Sequence, residues 1–90
     1  MATEKTVVVF RVWRKGGDVL ALFPLEDGGR GLCMSYQHVG QHGAADYGLC
    51  IGRTRPATPA EYSDLAAELR QIGYELRIVR RCPAARGAVE

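Results

Sequence analysis

The feature that most constrains the fold is one amphipathic helix predicted in the second half of the chain. Thr58, Pro59 and Glu61 form a capping box with proline at the first helical position. Apolar residues then recur on a stripe about 120° wide, at Tyr62, Leu65, Ala66, Leu69 and Ile72. Gly73 suits the left-handed residue that ends a helix. We therefore predict a helix over about 59–72 that must bury this stripe against another element.

The remaining apolar segments predict β-strands. Gly16 and Gly17 predict a tight hairpin turn after a strand rich in valine and aromatic residues. Pro24 should close the second strand, because proline cannot donate to a ladder. The predicted strands cover 6–14, 19–23, 32–36, 47–53 and 74–78, with a flexible loop over 25–31. The order β-β-β-β-α-β predicts an α+β fold, a mainly antiparallel sheet with the helix on one face.

Composition restricts the class of protein. Ninety residues suit one small domain, which we place at 1–81, with a disordered tail over 82–90. Apolar residues make up 47% and charged residues 24%, which is typical of a globular chain, and a net charge of +2 is too weak to indicate a nucleic-acid binder. We see neither a secretory signal nor a membrane-spanning run, and the three cysteines form no Cys-x-x-Cys pair. We expect a cytoplasmic protein with reduced thiols, no cofactor and no membrane partner.

The segment 33–47 is the candidate site. It contains both histidines, two glutamines and two tyrosines, and it lacks lysine and arginine. Neutral hydrogen-bonding groups in a connection between strands indicate contact with a partner rather than solvation. We predict a recognition loop over 36–47 with contact residues Tyr36, Gln37, His38, Gln41, His42, Asp46 and Tyr47. If 32–36 and 47–53 form a hairpin, Tyr36 lies near Tyr47 and Cys33 lies near Cys50.

The run Cys-Met-Ser-Tyr-Gln-His-Val-Gly-Gln-His at 33–42, with Ala45-Asp46-Tyr47, resembles a motif of small uncharacterised bacterial and bacteriophage or mobile-element proteins. The flanking pieces Phe10-Arg11, 18–24, Glu61-Tyr62 and Gly73-Tyr74 are similar to the same proteins. The resemblance covers roughly Thr6 to Arg80 and implies a small cytoplasmic domain, with no reaction or ligand attached to it.

Three alternative hypotheses assign the segment a role in metal binding or catalysis instead of recognition. Cys33, His38, His42 and Cys50 supply four zinc-type ligands, although their spacing matches no usual paired knuckle. Cysteine, histidine and Asp46 supply the residue types of nucleophilic catalysis, and histidine alone those of acid–base catalysis. The cysteines lie in predicted strands rather than at activating helix ends. We therefore assign no catalytic residue and favour a non-enzymatic protein.

The alternative hypothesis for the partner is a nucleic acid. Its contacts would be the arginines at two strand ends, Arg53, Arg55, Arg77, Arg80 and Arg81, which gather at one sheet edge if those strands run parallel. Arginines at such positions are more often solvated or paired with carboxylates. Because both faces of the first strand are apolar, a second copy or a covering segment is expected on the face away from the helix. The sequence predicts a small cytoplasmic binding module acting on a protein partner or on itself.

Overall fold

The computed structural model describes residues 5–37 and 41–80, except the side chains of Gln41 and His42. A sheet carries one long helix on one face, which confirms the predicted α+β class with a mainly antiparallel sheet. The predicted tail, 82–90, lies outside the described residues. In chain order the elements are β1 (Thr6–Trp13), β2 (Val19–Gly29), β3 (Leu32–Gln37), β4 (Gln41–Ala45), α1 (Tyr47–Arg53), β5 (Thr54–Pro56), α2 (Pro59–Ile72) and β6 (Leu76–Val79).

The strands follow the order β4-β3-β2-β1-β5, with every neighbouring pair antiparallel. β6 also pairs with β1, and this pair is parallel. β5 lies opposite residues 11–13 of β1 and β6 lies opposite residues 6–9. Two short strands therefore share one side of β1, while β4 ends the sheet on the other side.

The two strongest local predictions are confirmed. Gly16 and Gly17 have φ values of 99° and 81° in the β1–β2 turn, where only glycine is unstrained. The Thr58 hydroxyl accepts from the Glu61 amide at 3.3 Å, and the Glu61 carboxylate accepts from the Thr58 amide at 2.9 Å. Gly73 ends α2 with a φ of 122°. Turn and cap chemistry thus act locally, as the sequence indicates.

The predicted strand over 47–53 is wrong, because this segment forms helix α1. The Asp46 carboxylate caps the helix by accepting from the Leu49 amide at 3.0 Å, and the Cys50 amide donates to the Asp46 carbonyl at 2.9 Å. The fourth strand lies earlier, at Gln41–Ala45, within the predicted recognition loop. The residues that pack against the sheet are Tyr47, Cys50 and Ile51, at helical spacing, while Leu49 is exposed.

The flexible loop predicted over 25–31 is wrong in extent. β2 continues to Gly29, although its ladder to β3 is interrupted between Phe23 and Asp27. Pro24, which lacks an amide hydrogen, lies in this interruption, so its effect is a bulge instead of a strand end. The turn that follows is short and centres on Arg30, whose φ is 55°.

The core has two sides. On the helix face of the sheet, α2 packs against strand residues including Val8, Phe10, Ala21, Phe23 and Tyr36. On the second face, Val9, Leu20, Leu22 and Cys33 pack with Cys50 and Ile51 of α1. α1 is therefore the segment that covers the second face of β1, and this face gives no support for a dimer. Neither helix in the described ranges has the length and apolarity needed to cross a membrane.

Candidate interaction site on the β3–β4 hairpin

The predicted recognition segment is an antiparallel hairpin of β3 and β4. Tyr36 pairs with His42 and Gln37 pairs with Gln41, so the connection comprises residues 38–40. Cys33 pairs with Ala45, so the predicted hairpin register that places Cys50 opposite it is wrong, although the two cysteines do lie in one apolar cluster. The reason is the position of β4, which occupies the middle of the segment assumed to be a loop. His38 and the side chains of Gln41 and His42 lie outside the described part.

Tyr36 is a core residue. Its side chain is only 1% exposed and packs on the helix face, and its hydroxyl donates to the Glu68 carboxylate of α2. A phenol that is hydrogen-bonded across the sheet–helix interface holds the helix in position instead of holding a ligand. Tyr36 therefore anchors the hairpin to α2.

Asp46 and Tyr47 also have structural contacts. The Asp46 carboxylate caps α1, and the Tyr47 ring packs half-buried against the apolar cluster of the second face. The predicted contact residues thus divide between the core, the start of α1 and the hairpin strands. Sequence reasoning placed them in one loop because it did not identify the helix.

Gln37 lines an acidic cleft between the β1–β2 turn and the first turns of α2. The cleft has a volume of about 450 Å³ and includes Asp18, Glu61 and Asp64 in its lining. The Glu61 carboxylate is already engaged with Arg55 and Thr58, and the Arg55 hydrogen bond is the main cause that lowers its pKa to about 2. Since Glu61 is paired with Arg55, the acidic character of the cleft beside the hairpin comes from Asp18 and Asp64.

The exposed part of the hairpin is the edge strand β4. Among the described strands, β4 pairs only with β3, and Gly43 and Ala44 are exposed. The strand contains neither charge nor proline. A Cβ built on Gly43 would meet only the Ser35 hydroxyl, at 4.0 Å, and this hydroxyl donates to the Gly43 carbonyl at 2.9 Å. The strand is exposed at Gly43 and Ala44, and it is joined to β3 by the ladder and by this side-chain hydrogen bond.

Arg11 is a buried cation that sequence reasoning did not single out. Its Nε donates to Thr54 Oγ1 at 2.8 Å, and its terminal nitrogen donates to the Thr54 and Ile51 carbonyls at 2.8 and 3.2 Å. Burial lowers the pKa of the guanidinium, and the opposing influence of Tyr47 is smaller. A charged residue between the apolar neighbours Phe10 and Val12 was the available signal. Arg11 fastens the end of α1 to β1.

Cys33 and Cys50 lie together in the apolar cluster of the second face, one from β3 and one from α1. Burial is the main cause that raises the pKa of the Cys50 thiol, so this side chain stays protonated near neutral pH. Within residues 5–37 and 41–80, no three His, Cys, Asp or Glu side chains are grouped to hold a metal ion. The two cysteines therefore act as small apolar core residues.

The arginines of the nucleic-acid alternative are spread along one side of β1. Arg55 lies opposite Val12 and Arg77 lies opposite Val7, which are five strand positions or roughly 17 Å apart. Arg55 donates to both oxygens of the Glu61 carboxylate, at 2.9 and 2.6 Å. The others are Arg53 at the end of α1, Arg80 beside a groove of about 390 Å³ between β5 and β6, and Arg81, which lies outside the described residues.

Comparisons with protein-family models, curated proteins and solved structures found no match for this chain.

Proposed function

We propose that this protein is a non-enzymatic interaction module whose β3–β4 hairpin binds an extended segment of a protein partner. The partner adds as a further strand to the outer edge of β4. The observation that carries the proposal is the edge at Gln41–Ala45, which no other described strand covers and which is five residues long, uncharged and free of proline. The main-chain amides and carbonyls of such an edge are a template for strand addition.

The other end of the sheet supports this choice by contrast. β5 has only three residues and includes Arg55 and Pro56, and β6 carries Arg77 on its four residues. Short strands, charge and proline are the means by which proteins protect sheet edges. Since β4 lacks them, its edge is the better binding surface.

The surroundings of the hairpin support recognition through the main chain. Tyr36 is fixed in the core and Asp46 is fixed at the α1 cap, so these side chains hold β3 and β4 in place. A strand whose neighbouring strand and C-terminal end are held loses little conformational freedom when another strand pairs with it. Gly43 and Ala44 leave the approach to the edge sterically open.

The test is selection of binding peptides from a random library, followed by measurements on two variants. Gly43→Lys places a charge in the middle of the edge, whereas the control Ala67→Lys places the same charge on the exposed side of α2. We expect Gly43→Lys to weaken peptide binding at least about tenfold, the loss of roughly 1.4 kcal/mol, and Ala67→Lys to leave it unchanged. N-methylation of the peptide should abolish binding only at alternate residues, because alternate amides face the partner strand. Peptides that bind Gly43→Lys as well as the original protein would refute strand addition at β4.

A further inference from the structure

We infer that the strand accepted by β4 comes from a second copy of this chain, paired antiparallel about a two-fold axis at Gly43. This inference rests on the proposed function, since it names the partner of the same edge. It requires that β4 be complementary to itself, and that no charge oppose the approach of two identical molecules.

The residue pattern of β4 meets the first requirement. With Gly43 opposite Gly43 of the second copy, His42 lies opposite Ala44 and Gln41 lies opposite Ala45. Every longer residue therefore faces an alanine, and no side chain lies on the axis.

The charges on β4 and at its C-terminal end meet the second requirement. The strand carries no formal charge, so the directly opposed positions carry no like-charged lysine, arginine, aspartate or glutamate. Asp46 is the nearest described acidic residue after the strand, three positions from Gly43. In this arrangement the two Asp46 residues lie six positions apart, about 20 Å. This separation exceeds the Debye length of about 8 Å at physiological ionic strength, so their repulsion is largely screened.

An exposed apolar residue that follows the strand closely in sequence favours a second copy further. Leu49 lies in the first turn of α1, four residues after the end of β4, and its surface is 53% exposed. In the proposed dimer the second copy covers Leu49, and this apolar burial adds to the main-chain hydrogen bonds, which alone are marginal in water.

The experiment uses opposite charges at the axis. Light scattering after size exclusion should give twice the chain mass of 9.8 kDa for the original protein, and a monomer for Gly43→Lys and for Gly43→Glu. The φ of Gly43 is outside the positive range and its Cβ position is open, so both variants should fold, as circular dichroism will check. An equimolar mixture of the two variants should dimerise again, because the two-fold axis brings position 43 of each chain together. The control Gly43→Thr should remain dimeric, since threonine is favoured in strands and carries no charge.

The outcomes separate this inference from the proposed function. A monomeric original protein overturns the second copy as partner, while peptide selection still tests strand addition. A dimer that Gly43→Lys leaves intact, or a mixture that stays monomeric, overturns pairing about Gly43. Peptides that bind independently of Gly43 overturn the proposed function itself.

Discussion

Replacing Arg11 with methionine should destabilise the protein by detaching α1 from β1. Methionine keeps an unbranched side chain of similar reach but removes the three hydrogen bonds to Thr54 and Ile51. The Ile51 carbonyl keeps the amide of Thr54 as a donor, and the Thr54 hydroxyl keeps its bond to the Cys50 carbonyl at 2.7 Å. The main loss is therefore the charged donor to the buried Thr54 carbonyl.

The magnitude follows from that carbonyl. Leaving a buried acceptor without its donor costs about 1–3 kcal/mol, and removing the desolvated guanidinium recovers part of this cost. We expect a net loss of about 2 kcal/mol in the free energy of unfolding, which lowers the Tm by roughly 8–16 °C for a domain of this size. Urea titration and thermal unfolding followed by circular dichroism measure both quantities.

The control is Arg14→Met, which removes an exposed cation three residues further along and should change stability by less than about 0.5 kcal/mol. Hydrogen exchange provides a local measurement. The Cys50 amide, which donates to Asp46, should lose protection in Arg11→Met before the amides of α2 do. Unchanged stability together with unchanged exchange at α1 would refute the assignment of Arg11 as the anchor.

Three further predictions concern the bulge, the core tyrosine and the cap of α2. Gly28→Ala should cost about 1–3 kcal/mol by urea titration, because the new Cβ would lie 2.7 Å from a β3 carbonyl oxygen, while Gly52→Ala meets nothing within 4 Å and should not destabilise. Tyr36→Phe removes the donor to Glu68 and should cost about 1–2 kcal/mol in the same titration, and an unchanged midpoint would contradict the role of the hydroxyl. The pKa of Glu61 is lowered from 4.5 to about 2, chiefly by the arginine of β5, so its stabilisation is complete above pH 4.5 and is lost as the pH falls towards 2. The Tm difference between the original protein and Glu61→Gln should therefore shrink between pH 5 and pH 2, and a difference that grows would reverse the sign of the argument.

The parts of the fold that sequence predicted are those with local chemical causes. The Gly16-Gly17 turn and the Thr58 capping box depend on residues within four positions of each other, so their patterns are visible in the chain. Helix α1 depends on Arg11, which is 43 residues away from Thr54, and on an apolar face that exists only when the sheet is assembled. Glycines at 48 and 52 weaken its intrinsic helical preference. Tertiary contacts therefore decide the structure of 47–53, and periodicity alone favoured the wrong element.

The candidate site shows the same difference between features with local causes and features that depend on tertiary contacts. Sequence composition identifies 33–47 as unusual, and the structure places the edge strand β4, with Gly43 and Ala44 exposed, inside that segment. The burial of Tyr36 and the capping by Asp46 were not predictable, because Glu68 and the Leu49 amide become their partners only after the helices are placed. If the segment is taken as a loop, its lack of lysine and arginine predicts recognition through its side chains. In an edge strand the same absence has another physical meaning, namely that nothing prevents a further strand from pairing.

A dimer through β4 would also connect function with stability. A domain of 90 residues buries only about 60–65% of the surface of its unfolded chain, so its stability depends on few contacts. Association of folded copies stabilises the folded state by mass action, and the Tm then rises with protein concentration. Gly43→Lys would remove this dependence without altering the core, whereas Arg11→Met would lower the Tm at every concentration and keep the dependence. Thermal unfolding over a hundredfold range of concentration therefore distinguishes a contact that holds the subunit together from one that joins two subunits.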